Sequence, residues 1–277
     1  MIWCDGEWLE EEEFPLAVTD RGHLHGLGLF ETLLAVDGRA VLVERHLERL
    51  RAACGSLGWL GDAGLDLAAA GAAMGELLVR NGMAEGRCRI RLAVSGGDGG
   101  PGDLARGKGA LVWMCAGAVG AAGEARLRVT VSRWTRNERS AVAGLKCASY
   151  AENVVALDAA RKAGFDEALF FNSAGQLCEA ATANVFLVRD GVLLTPDLSC
   201  GCLPGVTRGV VLECAARLGI PWREGELGAG DLEAADEVFL TSATRGPVAV
   251  GGVDGRDYAA GELTGRLREA WEREIRR

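Results

Sequence analysis

No stretch of this sequence is apolar for long enough to cross a bilayer. Nothing at its start reads as a leader either: "MIWCDGEWLEEEE" is acidic where a secretory signal needs a basic and then an apolar segment. Basic charge is not in excess. Against 39 Asp and Glu stand 30 Lys and Arg, and the bases form no stripe, which argues against binding to nucleic-acid phosphates. Histidine is scarce, with three residues between positions 23 and 46, and His23-x-His25 has no complementary Cys/His pair to close a zinc site. The nine cysteines lack any regular spacing, so they read as free thiols of a reducing cytoplasm. Only Cys200 and Cys202 lie close together, and without a second pair they read as structural loop cysteines. The dinucleotide fingerprint G-x-G-x-x-G between a strand and a helix is missing, which argues against a Rossmann domain. There is no internal repeat and no low-complexity tail.

What remains is a chain of 277 residues, 49% apolar, enough for two modest domains around sizeable cores. "MIWCDGEWLE" reads as strand, turn, strand, with a hairpin at Asp5–Gly6. "VERHLERLRAACGSLGW" carries apolar residues at Leu47, Leu50, Cys54 and Leu57 and predicts a helix. "LDLAAAGAAMGELLVRNG" predicts a second, ending at Asn81–Gly82. "RCRIRLAVS" and "ALVWMCA" read as strands either side of the glycine-rich loop "GGDGGPGDLARGKG". The sequence then thins to "AGAVGAAGEA". The expected division is a domain over 1–117, a linker over 118–125 and a larger domain over 126–277. In the second part "RLRVTVS", "EALFF", "NVFLV", "VLLTP" and "EVFLTS" read as strands, with a turn at Asp190–Gly191. Ser149 and Glu152 have capping-box spacing, which predicts a helix from near Tyr150. Another helix follows "LPGVTR", and "RLREAWEREIRR" reads as a final helix with a solvated face. Strands and helices mixed in two halves give an α+β fold class.

Certain residues stand out chemically. In "LPGVTR" a proline–glycine turn delivers a threonine to a helix start. That is either a plain turn and cap or an anion site, because helix N-termini offer bare N–H groups and a favourable dipole. Lys146 lies between apolar Leu145 and Cys147; a lysine shielded from water becomes a competent nucleophile, although a surface lysine would read the same. Glu179 follows the expected strand end near Leu177, among small residues that let a flat ligand lie against backbone. Arg49 alone reads as a solvated residue of a charged helix, and Thr244 as part of a turn after a strand.

Taken together and in order, several blocks resemble one family. They are "DRGHLHGLGLFETL", "RHLERLRAACGSLG", "LKCASYAENVVALDAARKAGFDEALFFNSAGQLCEAATANVFLVRDGVLLTP", "LPGVTRGVVLECAARLGI" and "ADEVFLTSATRGPV". They resemble the fold-type IV, pyridoxal-phosphate-dependent class IV aminotransferases, which include branched-chain and D-amino-acid aminotransferases and aminodeoxychorismate lyases. The resemblance covers most of the chain. It implies a small N-terminal α/β domain, a larger mixed-sheet domain that binds the cofactor, and pyridoxal 5′-phosphate as that cofactor. It implies that Lys146 forms the Schiff base, that Glu179 pairs with the pyridine nitrogen, and that Val206, Thr207, Thr244 and Arg49 bind the phosphate. Tyr150 resembles the tyrosine that branched-chain enzymes place near the phenolic oxygen, one residue closer to the lysine here.

For the substrate, the resemblance points to His25, Phe30 and Arg91. "LFETL" is more similar to lyases and D-amino-acid enzymes than to the "FEG" of branched-chain enzymes. "HLHG" is similar to the branched-chain pattern, with His25 where a tyrosine is common, and Arg91 stands on a strand where it would hold a carboxylate. The function implied first is an aminotransferase acting on small amino and 2-oxo acids. The alternative is aminodeoxychorismate lyase, which uses the same lysine but eliminates pyruvate; a third reading is a non-catalytic relative that keeps the cofactor as a structural ligand. The resemblance also implies a homodimer, with substrate-facing residues near His25 contributed by the neighbouring subunit. No nucleic-acid or membrane partner is expected, and the expected location is the cytoplasm.

Overall fold

Four Asp–Gly pairs fold the chain back on itself. Asp5–Gly6, Asp37–Gly38, Asp190–Gly191 and Asp254–Gly255 all have positive φ at both residues. This is the two-residue turn whose twist suits a hairpin, and each pair joins antiparallel strands. The computed structural model describes residues 1–59, 66–102, 107–120, 126–259 and 261–276. The chain divides into two compact units, Met1–Ala121 with Leu145–Tyr150, and Ala122–Gly144 with Ala151–Arg277. Leu145–Tyr150 thus group with the first unit although they follow the linker in sequence. Within the expected linker residues 121–125 lie outside the described residues, as do 103–106 of the glycine-rich loop.

The first unit contains β1 (Ile2–Cys4), β2 (Glu7–Leu9), α1 (Arg21–His25), β3 (Leu29–Val36), β4 (Arg39–Ala40), α2 (Val43–Ser56), α3 (Leu67–Arg80), β5 (Arg87–Val94) and β6 (Val112–Ala118). Its strands form one antiparallel sheet in the order β2-β1-β6-β5-β3-β4. Helices α2 and α3 pack against this sheet. Their apolar stripes, Leu47, Leu50 and Cys54 on α2 and Leu67, Ala70, Met74 and Leu77 on α3, are buried. The α3 stripe starts on a cap: the Asp66 carboxylate accepts the Ala69 N–H at 2.8 Å, a bond worth about 1 kcal/mol. Alternation along β3 sends Glu31 toward α2 and Phe30 to the opposite face, beside Lys146.

The second unit contains β7 (Leu127–Val131), α4 (Ala151–Lys162), β8 (Glu167–Phe171), β9 (Leu177–Ala180), β10 (Asn184–Arg189), β11 (Val192–Pro196), α5 (Val206–Arg217), β12 (Trp222–Gly225), α6 (Ala229–Glu233), β13 (Glu237–Ser242), β14 (Gly246–Val253), β15 (Arg256–Asp257) and α7 (Glu262–Glu274). The mixed sheet runs β12-β11-β10-β13-β14-β7-β8-β9, with β15 paired to β14 off that path. Strand β9 returns against β10 and β11, so the sheet curls around an interior. Val129, Leu169, Leu177, Val185, Leu187, Leu240 and Val250 fill it. On the other face Phe186 and Phe239 stack with centroids 4.9 Å apart, and α5 and α7 lie against β13. Gly246 permits the approach of α7: a Cβ there would stand 2.4 Å from the Trp271 ring.

All nine cysteines are free thiols. Burial pushes the Cys202 thiol up to about 12, so it is protonated, and neighbouring Cys200 is also buried. No helix among the described residues is long and apolar enough to cross a membrane.

Candidate active site

Lys146 is fixed by its backbone. The Phe30 N–H donates to the Lys146 carbonyl at 2.9 Å, and the Ala148 N–H donates to the Gly28 carbonyl at 2.8 Å. The segment thereby extends the sheet beside the start of β3, with Cys147 bridged to Leu29. The Lys146 amine sits 4.4 Å from the Phe30 ring centroid and 5.3 Å from that of Tyr150. The two rings meet edge to face at 5.4 Å. The Arg91 guanidinium lies 3.8 Å from the centre of the same Phe30 ring. Phe30, Arg91, Lys146 and Tyr150 therefore form one cluster around an aromatic ring. His25 is exposed at the end of α1 and makes no ring contact with them; its neighbour Gly26 accepts the Ser149 hydroxyl at 3.1 Å.

Arg49 is not the solvated helix residue its charged surroundings suggest. Its Nε donates to Glu31 Oε1 at 2.8 Å and its Nη2 to Glu31 Oε2 at 2.5 Å, a bidentate pair. His46 Nδ1 stands 2.7 Å from the same Oε2. Burial pushes the Glu31 carboxyl up, but the bonds from His46 and Arg49 outweigh it and hold the group below its ordinary value. Burial pushes His46 down, more than Glu31 raises it. Glu31 is thus ionised and accepts only, so His46 is neutral with its proton on Nδ1.

In the second unit, Glu179 lies within β9 rather than after a strand end near Leu177. One carboxylate oxygen accepts the Leu203 N–H at 3.0 Å, and the other stands 3.7 Å from Arg136 Nη2. Arg136 is itself held over the Phe170 ring and bonded to Glu152 and Asn153. Leu203 opens the turn before α5, and its carbonyl accepts the Asn184 amide at 2.8 Å. Glycine is required at 205, because a Cβ there would stand 2.0 Å from Asn184 Oδ1. Helix α5 begins on Gly205 with no side-chain cap, so the first N–H groups at Val206 and Thr207 are left for another acceptor. Thr207 is a buried residue whose hydroxyl makes no hydrogen bond among the described residues. Thr244 stands in the turn after β13, whose Thr241 pairs with Asn184. An uncapped helix start, an unspent hydroxyl and a closely approachable backbone suit a polyvalent oxyanion such as a phosphate monoester.

The sequence profile described as "Amino-transferase class IV" matches residues 28–252. The chain belongs to the class IV aminotransferases. Among solved structures of this class, it is similar to a branched-chain aminotransferase of Thermoproteus uzoniensis solved with norvaline. The two share 30% identity over 98% of this chain and 93% of that one, with a TM-score of 0.91. A 4-amino-4-deoxychorismate lyase from Pseudomonas aeruginosa is 31% identical over 99% of each chain, at a TM-score of 0.86. A T.th. branched-chain aminotransferase, complexed with N-(5′-phosphopyridoxyl)-L-glutamate, is 26% identical over 100% of this chain and 94% of that one, at a TM-score of 0.89. The class IV profile spans Phe30, Arg49, Arg91, Lys146, Tyr150, Glu179, Val206, Thr207 and Thr244 but begins after His25.

For this class IV enzyme, reading along the sequence leaves Glu31, His46, Arg136 and Asn184 unread. No local pattern marks them, because each acts on a group distant in sequence. For the His46–Glu31 bond the separation is 15 residues.

Proposed function

We propose that the chain is a pyridoxal-phosphate-dependent aminotransferase that moves an amino group between an amino acid and a 2-oxo acid, with Lys146 as its catalytic residue. The observation that carries this reading is the Lys146 amine, pinned by its backbone and set against two aromatic rings. Val206 and Thr207 would hold the cofactor phosphate, with Thr244 and Arg49 as further contacts. Glu179 would pair with the ring nitrogen, and Tyr150 would stand beside the phenolic oxygen. Bound in this way, pyridoxal phosphate supplies an aldehyde that condenses with amines and a ring that accepts the electron pair left when Cα loses its proton.

The chain's own residues do the rest. Lys146 Nζ would give way to the substrate amine and, as a free base, would take the proton from Cα and return it two bonds away, to the carbon that carried the aldehyde. Glu179 holds a proton at the ring nitrogen, because an opposite charge favours the protonated ring. Phe30 and Tyr150 keep water from the amine. The phosphate contacts keep the ring still while bonds change partners.

Arg91 and Phe30 are proposed to receive the substrate carboxylate and side chain, and exposed His25 to contact substrate across a dimer interface. Burial pushes Arg91 down from its ordinary value, and nearby Arg89 adds to that. Neither arginine forms an ion pair among the described residues, in a chain of net charge -9. Arg91→Ala is expected to raise KM for the oxo acid by about 10- to 100-fold, the worth of one charge-assisted hydrogen bond, with a smaller effect on kcat. An unchanged KM would remove Arg91 from the site.

The deciding experiment mixes cofactor-loaded protein with single amino acids and no oxo acid. An aminotransferase converts the visible cofactor band into that of pyridoxamine phosphate, once per site. Release of pyruvate from aminodeoxychorismate without that conversion marks a lyase, the second reading, which the Pseudomonas relative supports. A spectrum unmoved by any amine marks a non-catalytic binder. We also propose a cytoplasmic homodimer with its domain boundary at 118–125; a fully active species at the mass of one chain, 29.1 kDa, in sedimentation equilibrium would refute the dimer.

A further inference from the structure

We propose that Glu31 and His46 are positioning residues for the phosphate anchor: they hold the Arg49 guanidinium in a fixed orientation before the cofactor arrives. The proposal rests on the reading of Arg49 as a phosphate contact.

The geometry is that of a jig. The Glu31 side chain is 1% exposed and that of His46 3%, whereas the Arg49 side chain keeps 14%. The network is therefore buried at its acidic end and part-exposed at its cationic end. Glu31 takes Arg49 side-on, through Nε and Nη2, so the plane of the guanidinium is set by the plane of the carboxylate. The carboxylate plane is set in turn by His46, whose Nδ1–H donates to Oε2. Arg49 and His46 stand three residues apart on α2, on the same side of the helix, and Glu31 reaches both from the facing strand β3. An arginine side chain has many rotamers, and binding a ligand with it ordinarily costs the loss of that freedom. Here the freedom is lost on folding, so the cofactor meets a preorganised fork.

A competing account uses the same contacts with the opposite sign. If Glu31 merely screens Arg49, removing its charge strengthens the attraction of Arg49 for phosphate. Positioning and screening thus predict opposite changes in cofactor affinity.

The test is a titration of pyridoxal phosphate onto the full-chain apoenzyme, followed by quenching of protein fluorescence. Arg49→Ala is expected to weaken binding by about 10- to 100-fold, and Glu31→Gln by about 10-fold. In the Arg49→Ala background Glu31→Gln should have no further effect, because there is no fork left to orient. His46→Leu removes the Nδ1 donor and should weaken binding, whereas His46→Asn keeps an N–H near that position and should restore most of it. This second pair carries the test if Glu31→Gln fails to fold. Tighter or unchanged binding in Glu31→Gln overturns the proposal, as does an effect that persists undiminished without Arg49. Unchanged affinity in Arg49→Ala overturns it differently, by removing Arg49 from the phosphate site altogether.

Discussion

Lys146→Ala should keep the cofactor and lose transamination by about 10⁴-fold or more, some 5.5 kcal/mol of barrier. Two functions of one atom disappear together. The amine can no longer exchange with the substrate amine, and no base remains beside Cα to carry its proton. Base catalysis alone accounts for about 10²- to 10⁴-fold in such sites. Cofactor retention follows because the proposed phosphate contacts Val206, Thr207, Thr244 and Arg49 are untouched. The fold should survive as well: the two hydrogen bonds that fix the Lys146 segment to β3 are backbone bonds and do not depend on the side chain. Truncation leaves room next to the Phe30 ring, so small amines added to the buffer should restore part of the rate. A variant that transaminates near the wild-type rate would assign the nucleophile elsewhere.

Glu179→Gln should leave the cofactor bound and slow the chemical step by about 10²-fold or more, roughly 2.7 kcal/mol. Glutamine keeps the shape and a carbonyl oxygen for the Leu203 N–H, so the turn before α5 stays in place. What it removes is the charge proposed to hold a proton at the ring nitrogen. A protonated ring stabilises the electron pair at Cα far more than it stabilises the resting cofactor, so the loss falls on the transition state. The measurement is a single half-reaction under saturating cofactor, where product release cannot mask the step. If Glu179→Gln instead loses the cofactor while its half-reaction rate is normal, Glu179 serves only as the brace of Leu203 and the ring nitrogen has another partner.

The legible parts of the fold were those with a local cause. The turns at Asp5–Gly6 and Asp190–Gly191 and helices α2, α3, α5 and α7 follow from turn chemistry and apolar period. The hairpins at Asp37–Gly38 and Asp254–Gly255 escape notice because β4 and β15 have two residues each, too few to alternate. Strand β3 hides for a different reason: most of its residues are buried, so no polar face marks a period of two. The small residues around Glu179 read as loop, yet they lie in and beside β9, where the returning strand packs close to β10. At Ser149 and Glu152 tertiary partners replace the local cap: the hydroxyl goes to Gly26, the carboxylate to Arg136, and α4 starts at Ala151. The resemblance points to Lys146, Glu179 and the α5 turn from short motifs, but Glu31 and His46 need three dimensions, because their bond joins a strand and a helix.

Leu203 is held at both of its backbone polar groups, N–H by Glu179 and carbonyl by Asn184. A single peptide thereby clasps two elements with different duties, the acid proposed for the ring nitrogen and the turn proposed for the phosphate. Any force that shifts one drags the other. A clasp of this kind would keep the acid and the turn at a constant span, so that a bound cofactor would meet both as one rigid unit.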